Sequence, residues 1–230
     1  MTGYMGYMLI AGLMTLIGMV ISGRLKSKFA KYSQMPTRSA MTGKEVAQSM
    51  LSGYGITNVE VIEAKGFLSD HYNPIKRVVA LSPDVYHGRS VAAAAVAAHE
   101  CGHAVQHATA YPLLKLRSGI VPIVKVSSQA QQWLLLLAFG GFGAGASGSN
   151  TILLITIITF AITALFSFLT LPVEFDASHR ALVWLDQTGV ASGAEYTGAK
   201  DALQWAAMTY VAAALSALVM LIYLLARYRN

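Results

Sequence analysis

Residues 90–108 read SVAAAAVAAHECGHAVQHA, and within them His99-Glu100-Cys101-Gly102-His103 places two histidines four residues apart with a glutamate after the first. The alanines and valines on either side, with Ser90 as N-cap, predict one continuous helix. A helix turns about 100° per residue, so His99 and His103 fall roughly 40° apart on one face, where both imidazoles can reach one metal. Glu100 lies beside that face, placed to take a proton from an activated water. This H-E-x-x-H spacing is that of zinc hydrolases. Gly102 is the local dissent: it costs about 1 kcal/mol against alanine in a helix interior, which suggests close backbone approach.

Hydrolytic zinc needs three protein ligands and an open position. A third histidine six residues after the second would complete one familiar pattern, but Gln106 stands at that pattern's glycine and Thr109 at its histidine. His107 follows one turn after His103, and three turns of a single rigid helix do not readily surround one ion. Cys101 reads as a small helix residue, with a stray ligand or a redox-sensitive thiol as alternatives. The other completion is a glutamate on a later helix. Glu174 is the first choice: it follows Pro172 and opens EFDASHRALVWL, a segment with helical spacing. Glu195, in SGAEYTG, is the reserve. Asp176 or Ser178 can hydrogen-bond a ligating imidazole, and His179, Arg180 and Tyr196 are candidates to stabilise an oxyanion.

The chain as a whole is 55% hydrophobic and 12% charged, against about 25% charged in soluble domains. It therefore reads as a mainly α integral membrane protein, with about four transmembrane helices and a small α+β zincin-like catalytic region carrying the H-E-x-x-H helix. Residues 4–22, 151–171 and 206–226 are apolar runs long enough to span a bilayer, and Pro172 is expected to end the second of them. A further span is expected between Pro122 and Ala146, where Lys125, Gln129, Gln131 and Gln132 imply a polar face turned toward protein. GAGASGSN, residues 143–150, reads as a tight turn. The organisation is then an anchor at 1–23, a catalytic region at 24–120, a transmembrane hairpin at 121–171, a second catalytic segment at 172–205 and a last helix and tail at 206–230.

Four spans put both hydrophilic regions on one side. Arg24, Lys26, Lys28 and Lys31 follow the first apolar run rather than preceding it, which argues for an uncleaved anchor and marks that side as cytoplasmic. The expected location is thus a bacterial inner membrane, multi-pass, with the catalytic region facing the cytoplasm. The net charge of +6 is gathered beside a span rather than along a stripe with interleaved aromatics, so anionic lipid is the expected counterpart and not nucleic acid. Oligomeric state is not legible.

Ahead of the motif, Thr42-Gly43-Lys44-Glu45 is a capping box opening a helix through Val46, Met50 and Leu51 to Gly53. Residues 58–64 and 77–81 have the alternation or β-branching of strands, and residues 66–74, with Asp70, His71 and Tyr72, have turn chemistry. Such a sheet either offers an edge to an extended substrate or simply covers the helix.

Together, YHGRSVAAAAVAAHECGHAVQHATAYPLLKLRSGIVP, LSDHYNP and LPVEFDASHRAL resemble the YugP-type family of bacterial membrane zinc metallopeptidases over nearly the whole chain. The resemblance implies zinc as cofactor, His99 and His103 as ligands, Glu100 as the catalytic acid and Glu174 as third ligand. It implies protein or peptide substrates. The EFDAS block also resembles the glutamate block of integral membrane gluzincins, where an acid often falls four residues after the ligand; here Ser178 has that place and Asp176 lies two away. The alternative class is a non-proteolytic membrane scaffold or partner-binding protein whose metal is structural or regulatory, a structural site being closed by Cys101 or His107 as a fourth ligand.

Overall fold

The computed structural model describes residues 2–139 and 146–229. Seven helices and three strands follow in the order α1 (Thr2–Ser33), α2 (Gly43–Gly53), β1 (Glu60–Glu63), β2 (His71–Asn73), β3 (Val78–Leu81), α3 (Pro83–Tyr86), α4 (Val91–Ala108), α5 (Pro112–Phe139), α6 (Ala146–Gln187) and α7 (Ala194–Arg229). The protein is mainly helical. Its chain divides into two compact units, one of Met1–Ile21, Leu116–Leu171 and Thr209–Asn230, the other of Ser22–Lys115 and Pro172–Met208.

The first unit takes part of each of three helical stretches that, among the described residues, are long and apolar enough to cross a membrane, Met5–Ser33, Asn150–Gln187 and Ala194–Arg229, each of which continues into the second unit. Met8, Leu9, Leu13, Leu16, Met19 and Val20 are exposed along α1, as side chains facing lipid are. Leu153, Ile157, Met220 and Leu224 form this unit's small apolar core. In α5, Gln131 donates to the Thr159 carbonyl (2.9 Å) and the Thr163 hydroxyl (2.8 Å), so of the four polar residues expected to face protein this one does, whereas Lys125, Gln129 and Gln132 are exposed. Of the glycine-rich turn expected at 143–150, residues 143–145 lie outside the described residues and 146–150 are helical.

Two helix boundaries differ from expectation. α1 does not end with its apolar run but continues through Lys31, because Lys and Arg are themselves good helix formers. Pro172 does not end α6 either. Proline forfeits one backbone hydrogen bond and crowds the preceding turn, but Val173, Ala177, Ala181 and Leu185 beyond it are each 0% exposed, and that burial holds the helix through the break. Glu174 consequently sits inside a helix rather than at its start.

The second unit is organised around α4, of which fourteen of eighteen residues are buried. A helix so covered needs small side chains on every face, which is what its alanines supply. Ser90 caps it by accepting from the Ala93 N–H at 3.2 Å. α2 packs on it through Val46, Ala47 and Met50. Its capping box forms as expected: the Thr42 hydroxyl accepts from the Glu45 N–H, and the Glu45 carboxylate accepts from the Thr42 N–H at 2.7 Å.

The sheet has the order β1-β3-β2, with β1 parallel and β2 antiparallel to β3. β2 stands where a turn is expected; three residues are too few for alternation to announce a strand, and pairing of His71 with Ala80 and Asn73 with Val78 makes it one. Asp70, just before it, ties this strand to the next element by accepting from the Ser82 N–H (2.7 Å) and hydroxyl (3.0 Å).

Candidate metal centre

Helix α4 brings His99 and His103 to one face, their rings 4.9 Å apart. The Cα of Gly102, between them in sequence, lies so close to α6 that an alanine Cβ there would stand 2.5 Å from the Ala177 carbonyl oxygen. Only glycine permits that approach, and it sets Glu174, one turn before Ala177, against the two imidazoles. The Glu174 Oε2 lies 3.4 Å from His99 Nε2 and 3.5 Å from His103 Nε2. Candidate ligand atoms of all three residues fall within 4.8 Å of one another.

These distances suit zinc. With bonds of about 2.0–2.1 Å, a tetrahedral ion separates its ligands by about 3.4 Å. Two neutral imidazoles and one carboxylate are also the donor set of hydrolytic sites that keep a fourth position open.

The remote nitrogens are held as well. The Gln106 amide donates through Nε2 to the Val173 carbonyl (2.7 Å) and to Asp176 Oδ2 (2.8 Å). With both amide protons committed, its Oε1 can only accept, so the bond to His103 Nδ1 at 3.0 Å requires the proton on Nδ1. In the neutral ring, the form that ligates a metal, this leaves Nε2 as the lone pair, facing Glu174. Ser178 lies 3.1 Å from His99 Nδ1 and can accept in the same way. Asp176 holds Gln106 and also accepts from Arg180 Nε at 2.6 Å, so of the two side chains expected to partner an imidazole, Ser178 does so directly and Asp176 acts through Gln106.

Electrostatics favour a cation here. Burial alone would lower the pKa of His103, but the adjacent Glu174 carboxylate and the charge of Glu100 outweigh it and raise the pKa above the ordinary histidine value. Glu100 is 8% exposed on the same helix. The same surroundings that favour a proton on His103 would favour a divalent ion in its place.

The other sequence candidates lie elsewhere. Cys101 is wholly buried against α2, its thiol 3.5 Å from the Ala47 carbonyl, and burial pushes its pKa up; it is an inert core residue. His107 Nδ1 pairs with the Tyr72 hydroxyl at 2.7 Å. Glu195 accepts from the Arg38 N–H at 3.1 Å. None of them joins the cluster, so among the described residues the candidate centre offers three protein ligands rather than a closed four. Arg180 is held by Asp176, His179 is exposed and Tyr196 half-buried. Gln106 is the member that sequence reasoning missed: it was noticed only as the residue breaking a three-histidine pattern, although three residues after His103 it is one helical turn away and can reach that ring.

The chain belongs to the family described as "Putative neutral zinc metallopeptidase", whose model matches residues 7–229. Zinc is accordingly its cofactor, and His99, His103 and Glu174 are a group able to hold it. Among curated proteins, one from Bacillus subtilis (strain 168) named "Putative membrane protease YugP" is 42% identical over 195 residues, covering 85% of this chain and 84% of the relative. No solved structure matches.

Proposed function

We propose that the protein is an integral membrane metalloendopeptidase of the gluzincin kind, hydrolysing peptide bonds of membrane proteins or of peptides at the membrane surface. The observation that carries this is the convergence of Glu174 of α6 with His99 and His103 of the buried helix α4, which also carries Glu100. In this reading His99 and His103 of the H-E-x-x-H motif and Glu174 are the ligands. Zinc held there supplies Lewis acidity, polarising a carbonyl and bringing the pKa of a water toward about 7. Glu100 accepts the proton as the water attacks and delivers it to the leaving amine. Gln106 and Ser178 keep the rings turned so that both Nε2 atoms face inward. His179, Arg180 or Tyr196 serves the oxyanion; the bond from Arg180 Nε to Asp176 leaves the other guanidinium donors for that role.

α5 is taken as a fourth span, with Gln131 turned inward. The basic run Arg24–Lys31 supports a catalytic unit on the cytoplasmic side of a bacterial inner membrane. Three apolar helices are more than a soluble peptidase needs, which favours substrates met at the bilayer. The test is a comparison of protein cleavage in cells carrying the native chain or Glu100→Gln, repeated with purified protein on the peptides so found. New termini that appear equally with both forms would reject the proposal.

A further inference from the structure

A cleft of about 400 Å³ lies along the C-terminal half of α4, lined by Ala104 and His107 of that helix, Thr57 and Asn58 of the loop before β1, Tyr72 of β2 and Arg77 before β3. Its volume is in the range of small-ligand sites. Ala104 and His107 follow Glu100 by four and seven residues, so they continue the Glu100 stripe of the helix, about 6 and 10 Å further along the axis. An extended peptide advances about 3.3 Å per residue. A substrate whose scissile bond lies at Glu100 therefore puts a residue two or three positions away into this cleft.

The cleft presents one cation, Arg77, which like Thr57 and Asn58 is exposed at its mouth. The Arg77 guanidinium has no carboxylate partner among the described residues, and its charge acts on the Tyr72 hydroxyl, opposing the rise in pKa that burial imposes there. Thr57, Asn58 and His107 add polar groups to the lining, and no acidic side chain lines it. Arg77 is also held in the left-handed region, with φ of 52°. That backbone is costly for a side chain with a Cβ.

We infer that this cleft is a substrate subsite for a carboxylate, either an acidic side chain two or three residues from the cleaved bond or the C-terminal carboxylate of a short product-like tail. The inference rests on the peptidase reading. Arg77 pairs with the carboxylate, Thr57 and Asn58 supply further donors, and the Tyr72–His107 pair forms the floor. An amide or neutral residue leaves the guanidinium without its counter-charge, which lowers kcat/KM on that substrate about tenfold or more.

The test uses the full-length zinc protein in detergent and quenched-fluorescence peptides that carry Glu or Gln at each of the three positions on either side of the cleaved bond, each made as the C-terminal acid and as the amide. Wild type should prefer Glu over Gln at one position, or acid over amide, by tenfold or more; which arm responds identifies the source of the carboxylate. Arg77→Gln should bring that ratio near one, and Arg77→Glu should invert it for the matching Lys peptide. Zinc content and melting temperature of both variants confirm that they fold. A preference that survives in Arg77→Gln, or no preference in wild type, overturns the subsite. Binding of labelled acid and amide peptides to Glu100→Gln, followed by anisotropy, separates the two levels: absence of cleavage by the wild-type protein, with discrimination retained in binding, refutes the peptidase and keeps the subsite.

Discussion

Gly102→Ala adds one methyl group, and the structure states what it meets: the Ala177 carbonyl oxygen at 2.5 Å, with the carbonyl carbon and Cα at 3.1 Å. Ordinary contact is about 3.5–4 Å, so the helices must part by about 1 Å. The obstacle is backbone and no rotamer change removes it. Overpacking of this kind costs about 1–3 kcal/mol, of which alanine's better helix propensity returns about 1, so the fold loses about 0–2 kcal/mol. The metal site tolerates far less, because ligand distances must hold within about 0.2 Å. Moving α6 by 1 Å takes Glu174 out of range of an ion centred on His99 and His103. The variant should melt within a few degrees of wild type yet lose zinc affinity tenfold or more, read by competition with a chromogenic chelator. Gly119→Ala is the control: an added Cβ there meets nothing within 4 Å, and neither zinc affinity nor folding should suffer. A Gly102→Ala protein that holds zinc like wild type would refute the link between this approach and the ligand geometry.

Glu100→Gln should keep a full complement of zinc while losing hydrolysis by about 10²–10⁴-fold; wild-type turnover in the purified variant would remove Glu100 from the mechanism. His99→Ala and Glu174→Ala should lose the metal, and stoichiometric tight zinc in either, measured by atomic absorption after dialysis, would sink the assignment of that ligand. Gln106→Leu, close in size but unable to hold the His103 ring or bridge to Asp176, should weaken zinc binding by about 10–100-fold; an unchanged chelator titration would show that the bridge is idle. Burial raises the pKa of Asp70 against the opposing bonds from Ser82, so the folded state binds this proton more tightly than the unfolded chain. The stabilisation from that proton is fully present below the unfolded value of about 3.9 and is lost as pH rises through the folded value. The melting-temperature difference between wild type and Asp70→Asn should therefore decline from pH 3.5 to 6.5, and a difference that grows over that interval would contradict the shift.

What could be seen in the chain beforehand follows from where local rules decide. α4, its Ser90 cap and the Thr42–Glu45 box are set by neighbouring residues, so spacing alone reveals them. Glu174 was within reach as well, because it stands beside a helix-compatible segment after an apolar run. Its setting was not: a proline normally marks an end, and only tertiary burial of Val173 and Ala177 carries α6 past it. β2 was hidden for a related reason, since three residues become a strand only when β3 offers a partner. Gln106 escaped because its role depends on Val173 and Asp176, some seventy residues away. The pattern that prompted attention to Gln106 asked for a glycine, so its own side chain went unread. Cys101 drew suspicion by its place in the motif, and only the packing of α2 shows that it is enclosed.

The near-complete burial of α4 bears on the order in which the protein acquires its parts. Backbone amides of a helix enclosed on all sides exchange with solvent only through large-scale opening, so those of residues 95–105 should be the slowest to exchange in their unit. The two histidines are thus carried on the segment that is last to come apart. Unlike small zinc domains that are unfolded without their ion, this unit can fold first, with its imidazoles already oriented by Gln106 and Ser178, and take up its metal afterwards. Chelation should then leave the amide protection of α4 largely intact.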